Sequence, residues 1–135
     1  MDFIKIAPTE IDILPPLAVK YLEQAIKRTP ASTSRLDITL DIARKGYGNI
    51  YLIFDGAILM GATYLVVYPT DKGKVLGIIL LGGTKIKRWK DDYYKFATSF
   101  GRNVGAYKIN YIGRDGWGPV FPMCKRVGSI FELTL

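Results

Sequence analysis

The sequence has no histidine and only one cysteine, Cys124. Without histidine, the chain lacks both the commonest general base and the commonest side-chain ligand of transition metals. A zinc site needs about four ligand atoms, most often from His and Cys, so no zinc site is expected. A single cysteine cannot form an internal disulfide, and this is typical of proteins in a reducing compartment.

Long apolar segments are also lacking, although 49% of the residues are hydrophobic. No run approaches the roughly 18 apolar residues that a membrane-spanning helix needs, and residues 1–10 have no apolar segment of a secretory signal. We therefore predict no membrane association. A chain of 135 residues is long enough to bury a core of its own, so residues 1–135 are predicted to form a single soluble domain.

Acidic residues are scarce relative to basic ones, and the deficit is uneven. The formal net charge is +7; residues 1–82 contain nine Lys or Arg and eight Asp or Glu, whereas residues 83–135 contain ten and four. An anionic partner would therefore meet the C-terminal part of the chain. A solvated basic face explains the same charges, and the sequence leaves both interpretations open.

The first part of the chain predicts one strand and two helices. A short strand covers residues 3–6. Apolar residues at helical spacing then predict a first helix, with Pro15 and its neighbour suited to the first turn. Ser34 is the expected N-cap of a second helix that ends at Gly46.

Three antiparallel strands are predicted next. The runs at 49–54 and 57–68 flank Asp55-Gly56, a pair suited to the positive φ angles of a type I′ hairpin turn. A second turn at 69–74 precedes the apolar run VLGIILL at 75–81. An uninterrupted apolar run is typical of a strand that is buried on both faces.

The last part predicts one helix and two strands. Thr84 is the expected N-cap of the helix, whose aromatic residues from Trp89 to Phe100 are interpreted as core rather than as a ligand cage. YKINYI at 107–112 and SIFELTL at 129–135 are the strands. The last of them is expected at a sheet edge, which leaves a homo-oligomer open.

The predicted element order is βααβββαβ, then a short α or loop, then β. This order indicates an α/β (α+β) domain with a mixed, mostly antiparallel central sheet flanked by helices.

The junction between the apolar strand and this helix is the strongest candidate for a binding site. Three cations crowd the expected first turn of the helix, where each is unfavourable by roughly 0.3–1 kcal/mol. A bound anion would reverse this, with glycines letting the backbone approach a phosphate; alternatively, the long side chains extend into water. The predicted cofactor-binding residues are Gly82, Gly83, Thr84, Lys85, Lys87 and Arg88.

Candidate acids and bases are few. Tyr64, Tyr68, Tyr107 and Tyr111 lie on predicted strands and would transfer protons only if their pKa values were lowered. Cys124 has no histidine partner, so a buried and inert thiol is the simpler interpretation. Tyr111 and Cys124 are retained as weak catalytic candidates, and no complete catalytic set is visible.

The element order and the hairpin IFDGAILMGATYLVV resemble the GNAT superfamily of acyl-CoA N-acyltransferases, whose sheet splays open to admit the pantetheine arm. The stretch YKINYIGRDGW is similar to one in GNAT-like proteins of tailed bacteriophages, in which Gly-Arg-x-Gly-Trp follows the fifth strand. The resemblance covers nearly the whole chain. The motif loop consists of Gly113, Arg114, Asp115, Gly116 and Trp117.

The sequence departs from the family at two positions. The family's pyrophosphate loop, Arg/Gln-x-x-Gly-x-Gly/Ala, corresponds to LLGGTKIKRW, which has glycines and positive charge at a different spacing. The family often has a Tyr on the last helix, four residues before a Gly, that protonates the leaving thiolate. Counting back four residues from Gly128 gives Cys124 in this sequence. Pro119 and Pro122 would also shorten that helix.

Three functions compete. The primary prediction, implied by the resemblance, is a non-catalytic phage virion or assembly component in the virion or host cytoplasm, with other virion proteins as partners. The first alternative is an N-acetyltransferase that uses acetyl-CoA. The second, suggested by the charge distribution, is a nucleic-acid-binding module that uses Lys85, Lys87, Arg88, Lys90 and Arg102.

Overall fold

The computed structural model describes residues 1–28, 35–112, 125–127 and 130–135. The strands are β1 (Asp2–Ile6), β2 (Asn49–Asp55), β3 (Ile58–Thr70), β4 (Gly73–Gly83), β5 (Ala106–Ile112), β6 (Lys125–Val127) and β7 (Ile130–Thr134). The α-helices are α1 (Pro16–Arg28), α2 (Leu36–Arg44) and α3 (Lys90–Asn103), and 3₁₀ turns lie at Pro8–Ile13 and Ile86–Arg88. The predicted order is confirmed, with β6 added where a loop or short helix was expected.

The seven strands form one sheet in the order β1-β2-β3-β4-β5-β7-β6. Among the described strands, β4 and β5 run parallel and all other neighbours are antiparallel. A parallel pair cannot be joined by a tight turn, and α3 provides the crossover. The mixed, mostly antiparallel sheet of the predicted fold class is therefore confirmed.

Two apolar clusters fill the space between the sheet and its helices. On one face, Trp89 and Tyr93 of the α3 region are 0% and 1% exposed and pack with Ile78 of β4. On the other face, Leu22 of α1 packs with Leu80 of β4. Strand β4 is thus covered on both faces as predicted, and the aromatic stripe is core.

The β2–β3 turn differs from the predicted type I′ form. Asp55 pairs with Ile58, so Gly56 and Ala57 are the turn residues. Of these two, only Gly56 has a positive φ, +59°. A positive φ at the first turn residue alone is the type II′ pattern, so the hairpin is confirmed and its turn type was wrong.

Helix α3 begins later than the predicted N-cap Thr84. Its N-cap is Trp89, and its first turn carries Asp91 and Asp92, whose negative charges are favourable at this end of the helix dipole. Lys85 is the N-cap of the preceding 3₁₀ turn, and Lys87 and Arg88 lie on that turn. The prediction that they crowd the first turn of the helix was therefore wrong.

The C-terminal strand is not at the edge of the sheet. β7 pairs with β5 on one side and with β6 on the other, so β1 and β6 form the edges. The expectation of an open edge at β7 was wrong, and a homo-oligomer no longer has that support.

Two expectations about helices remain. The predicted N-cap Ser34 lies outside the described residues, and α2 is preceded by Arg35 as its N-cap. Among the described helices, none has the length and apolar character to cross a bilayer.

Candidate functional site

Strand β4 contains a β-bulge at Ile79. Tyr64 pairs with Leu80, and the next residue of β3, Leu65, pairs with Ile78, so Ile79 has no opposite residue. Ile79 and Leu80 therefore both lie in the cluster beneath α1. A bulge bends the strand and increases its twist. Here it changes the direction of the last residues of β4.

Strands β4 and β5 stop pairing at this bulge. Their last parallel pair is Ile78 with Tyr111. β5 continues to Ile112, but this residue pairs with Ile130 of β7, and no described residue of β5 pairs with β4 beyond Ile78. Residues 79–83, which we call the splay, have no partner on β5 in the described part of the chain; residues 80–83 pair with β3.

Pairing with β3 determines where the amides of the splay point. The Thr84 amide donates to the Met60 carbonyl over 2.9 Å, which makes these two residues a hydrogen-bonded pair. Bonded and non-bonded pairs alternate along antiparallel strands, so Gly83 and Leu81 belong to non-bonded pairs. Their N–H groups therefore point away from β3, to the side from which β5 has diverged.

An apolar cleft opens beside the splay, on the α3 side of the sheet. Its cavity volume is about 20 Å³, roughly the space of one water molecule. The cleft is lined by Ile78, Leu81, Tyr93, Tyr94, Ala97, Thr98, Ile109, Tyr111 and Leu133. The Leu81 and Gly83 amides provide hydrogen-bond donors beside these apolar residues.

Comparisons with known proteins identify the fold to which this geometry belongs. No protein-family model matches the sequence, and no curated protein matches it. Solved structures do match. A probable acetyltransferase superposes with a TM-score of 0.64 at 18% identity, over 90% of this chain and 87% of the other.

Two further matches are structures solved with acetyl-CoA. One, a predicted acetyltransferase from Clostridium acetobutylicum, has a TM-score of 0.64 at 12% identity over 90% of this chain and 86% of the other. The second, a GNAT family acetyltransferase from Brucella melitensis, has a TM-score of 0.60 at 11% identity over 99% and 87%. The chain has the GNAT fold.

In the GNAT fold of this chain, Gly82 and Gly83 lie inside β4 rather than in a loop. A Cβ atom on Gly82 would overlap the Tyr21 carbonyl of α1, and one on Gly83 would overlap the Met60 carbonyl and lie 2.9 Å from the Trp89 ring. Packing therefore accounts for both glycines without a ligand.

The predicted cations lie together on the exposed turn that follows β4. Arg88 Nη2 lies 2.7 Å from Asp55 Oδ2, a surface pair worth at most about 1 kcal/mol. Lys85 has a left-handed backbone with φ +50°, and Lys87 is exposed. An anion site formed by Gly82–Arg88 stays a prediction. Its positive charges would come from the exposed turn rather than from the helix N-terminus.

The structure separates the candidate tyrosines. Tyr111 is 6% exposed and lines the apolar cleft. Tyr64 lies in the core beneath α1, where its hydroxyl donates to the Tyr47 carbonyl over 2.5 Å. Burial raises the pKa of Tyr64, the opposite of what a base near neutral pH needs.

The other predicted site residues fall in undescribed segments. Cys124 and the motif loop at 113–117 lie outside the described residues. Their predicted roles stay predictions.

A polar group of side chains lies on the face of the sheet opposite the cleft. Asn110 Nδ2 donates to the Tyr68 hydroxyl over 3.1 Å, and Lys108 Nζ donates to Glu132 Oε1 over 2.9 Å. The hydrogen bond to Glu132 raises the pKa of Lys108. Asn110 Oδ1 is buried with no hydrogen-bond partner among the described residues. Because successive side chains of β5 point to opposite faces of the sheet, the apolar cleft lies on one face and these polar side chains lie on the other.

Sequence reasoning missed Leu81 and Thr63. Leu81 matters through its backbone amide, which leaves no mark in the type of side chain. Thr63 is a 0% exposed polar residue within the apolar run of β3. A lone hydroxyl among apolar strand residues was the available signal, because buried polar groups need partners.

Proposed function

We propose that the chain binds an acyl-CoA thioester, acetyl-CoA in the first instance, beside the splay and transfers its acyl group to an amine. The observation that carries the proposal is the direction of the Leu81 and Gly83 amides, which point to the side that β5 has left, above an apolar cleft. The fold likeness to acetyltransferases, two of them solved with acetyl-CoA, supports it.

The residues present fit the proposed donor. Acetyl-CoA would supply an activated acyl group on a long, largely apolar arm. The splay amides are donors for the carbonyl groups of that arm, and the apolar residues Ile78 and Leu81 lie beside them. Lys85 and Lys87 stand on the turn after the splay, where they suit the phosphates at the far end.

The transfer step needs one bond formed and one bond broken. The amine nitrogen donates its lone pair to the acyl carbon, the carbon–sulfur bond breaks with its electrons going to sulfur, and one proton passes from nitrogen to sulfur. The Leu81 amide would donate a hydrogen bond to the acyl oxygen as negative charge develops there. Removing one donor of this kind lowers the rate of a transfer reaction by roughly 10²-fold or more. Tyr111, in the cleft, is the candidate that hands the proton to sulfur.

The polar face gives the amine its approach. Tyr68 of β3 and Asn110 of β5 lie on the face of the sheet opposite the cleft, so an amine bound on that face would meet the acyl donor at the splay. The virion, assembly and nucleic-acid roles remain predictions without support of this kind.

Amide resonances test the proposal directly. We expect acetyl-CoA at low salt to shift the amide resonances of Leu81 and Gly83, whereas the Gly82 amide, which points to β3 by the same alternation, serves as the matched control. Thiol release with a panel of primary amines then tests transfer. Absence of both amide shifts and calorimetric heat at millimolar acetyl-CoA would refute the proposal, and binding without thiol release would restrict it to a binding role.

A further inference from the structure

A buried pair of hydroxyls connects α3 to the splay. Thr63 Oγ1 lies 2.8 Å from the Leu80 carbonyl oxygen and 2.7 Å from the Tyr93 hydroxyl. Both side chains are almost completely buried, at 0% and 1% exposure. The pair stands directly behind the cleft, because Tyr93 is also one of the residues that line it.

The direction of these hydrogen bonds follows from the chemistry of the three groups. A carbonyl oxygen only accepts, so the Thr63 proton goes to Leu80. The Tyr93 hydroxyl must then donate to Thr63 Oγ1. Burial raises the pKa of Tyr93, so its hydroxyl keeps the proton that this arrangement needs at all physiological pH values.

The chain of donors ends on the peptide group that the proposed function uses. The Leu80 carbonyl and the Leu81 N–H belong to one trans peptide, so they point in opposite directions. Hydrogen bonds in sequence polarise one another. A carbonyl that accepts a bond from a polarised hydroxyl makes the N–H of its own peptide a stronger donor.

Stability alone does not explain the pair. Replacing two buried hydrogen-bonded groups by apolar groups of the same shape is often nearly neutral, and Phe and Val would fill the same space. The neighbouring residues of both clusters are apolar. The volume of the two side chains alone therefore does not account for hydroxyls at these positions.

We propose that Thr63 and Tyr93 are positioning residues that hold and polarise the Leu80–Leu81 peptide, so that the Leu81 amide is a strong donor to the acyl oxygen. The inference rests on the proposed function, since it assigns a use to that amide. Neither side chain touches the reacting atoms. Their effect is on the rate of transfer rather than on the affinity for acetyl-CoA.

Three variants test the inference: Tyr93→Phe, Thr63→Val and Thr63→Ser. We expect Tyr93→Phe and Thr63→Val to move the Leu81 amide proton upfield in the ligand-free protein and to lower kcat roughly tenfold with little change in KM, the pattern of an interaction made mainly in the transition state. Thr63→Ser keeps the hydroxyl and is expected to retain both the shift and most of the activity. Unfolding curves of all three report any loss of folding.

The outcomes separate the two proposals. If wild-type protein does not bind acetyl-CoA, the proposed function fails, while the Leu81 shift in the ligand-free variants still decides whether the hydroxyls polarise this peptide. If Tyr93→Phe folds and leaves the Leu81 resonance unchanged, the inference is wrong. A Thr63→Ser protein as impaired as Thr63→Val also overturns it, because volume rather than the hydroxyl would then be what matters.

Discussion

Lys85 has an unfavourable backbone conformation for a residue with a side chain. Its φ of +50° is the only positive value among the described non-glycine residues, and the left-handed region costs such a residue roughly 1–2 kcal/mol. Lys85 is exposed, so no core contact of its side chain offsets this. Glycine would adopt the same conformation without steric cost.

We therefore predict opposite effects of Lys85→Gly on stability and binding. The free energy of unfolding should rise by about 0.5–1 kcal/mol, the relieved strain less the greater backbone entropy lost by glycine. If acetyl-CoA binds as proposed, the affinity of the variant measured at low salt should be lower than that of wild type, because a charge beside the proposed phosphate position is lost. Urea unfolding and calorimetry measure the two quantities.

Lys87→Gly is the matched control for this prediction. It removes the same charge from a 3₁₀ turn with ordinary backbone angles, so it should weaken binding without raising stability. If Lys85→Gly is no more stable than wild type, then the backbone at position 85 is not strained.

The segment between β4 and α3 depends on Trp89. The Trp89 side chain is 0% exposed, and its Nε1 donates to the Thr84 carbonyl over 2.8 Å. Its ring packs edge-to-face against Tyr93, with 6.0 Å between the ring centroids. The indole thus holds the 3₁₀ turn and the start of α3 together beneath the sheet.

Trp89→Ala should lower the free energy of unfolding by about 3–5 kcal/mol, as expected for a large aromatic residue removed from a core. Tyr47→Ala is a suitable control, because that side chain is 67% exposed. Chemical denaturation of both variants tests this. Equal and small losses would mean that the indole is not part of the core.

At the level of elements, the sequence specifies what local periodicity encodes. Helix α1 follows from apolar residues at helical spacing, and the β2–β3 hairpin from two β-rich runs around Gly56. The fold class and the GNAT resemblance followed from this order. What periodicity does not encode is a one-residue irregularity: Ile79 is as apolar as its neighbours, so the bulge leaves no pattern in VLGIILL.

The candidate site was harder to predict for a related reason. Cations and glycines at 82–88 suggested a phosphate loop, but Gly82 and Gly83 are needed where α1 and Trp89 approach β4. Such tertiary contacts are long-range and invisible in a local window. The donors of the site are backbone amides, and only strand pairing reveals which of them are available.

Four groups in the described part of the chain have pKa values that folding raises. Burial raises the pKa values of Tyr51, Tyr64 and Tyr93, and the hydrogen bond to Glu132 raises that of Lys108. In each case the folded pKa lies above the unfolded value of about 10, so the folded state binds more protons at high pH. The stability linked to these groups is full below about pH 10 and is lost as the pH rises through the folded values.

We predict that stability is nearly constant from about pH 6.5 to 9 and falls above about pH 10, because the chain has no histidine to titrate in the middle range. Urea midpoints across this range measure it. Tyr93→Phe should flatten the alkaline fall, since one group that resists ionisation is removed. A loss of stability between pH 6 and 8 would contradict this account.

The bulge at Ile79 also limits how the length of β4 can change. An insertion or deletion of one residue between Ile79 and Leu81 would turn every following side chain of β4 to the opposite face of the sheet. Gly82 would no longer meet α1, and the Leu81 amide would point at β3. The β3–β4 hairpin at Asp71 and Lys72 is exposed and should accept added residues, so tolerance to changes in length differs sharply between the two ends of one strand.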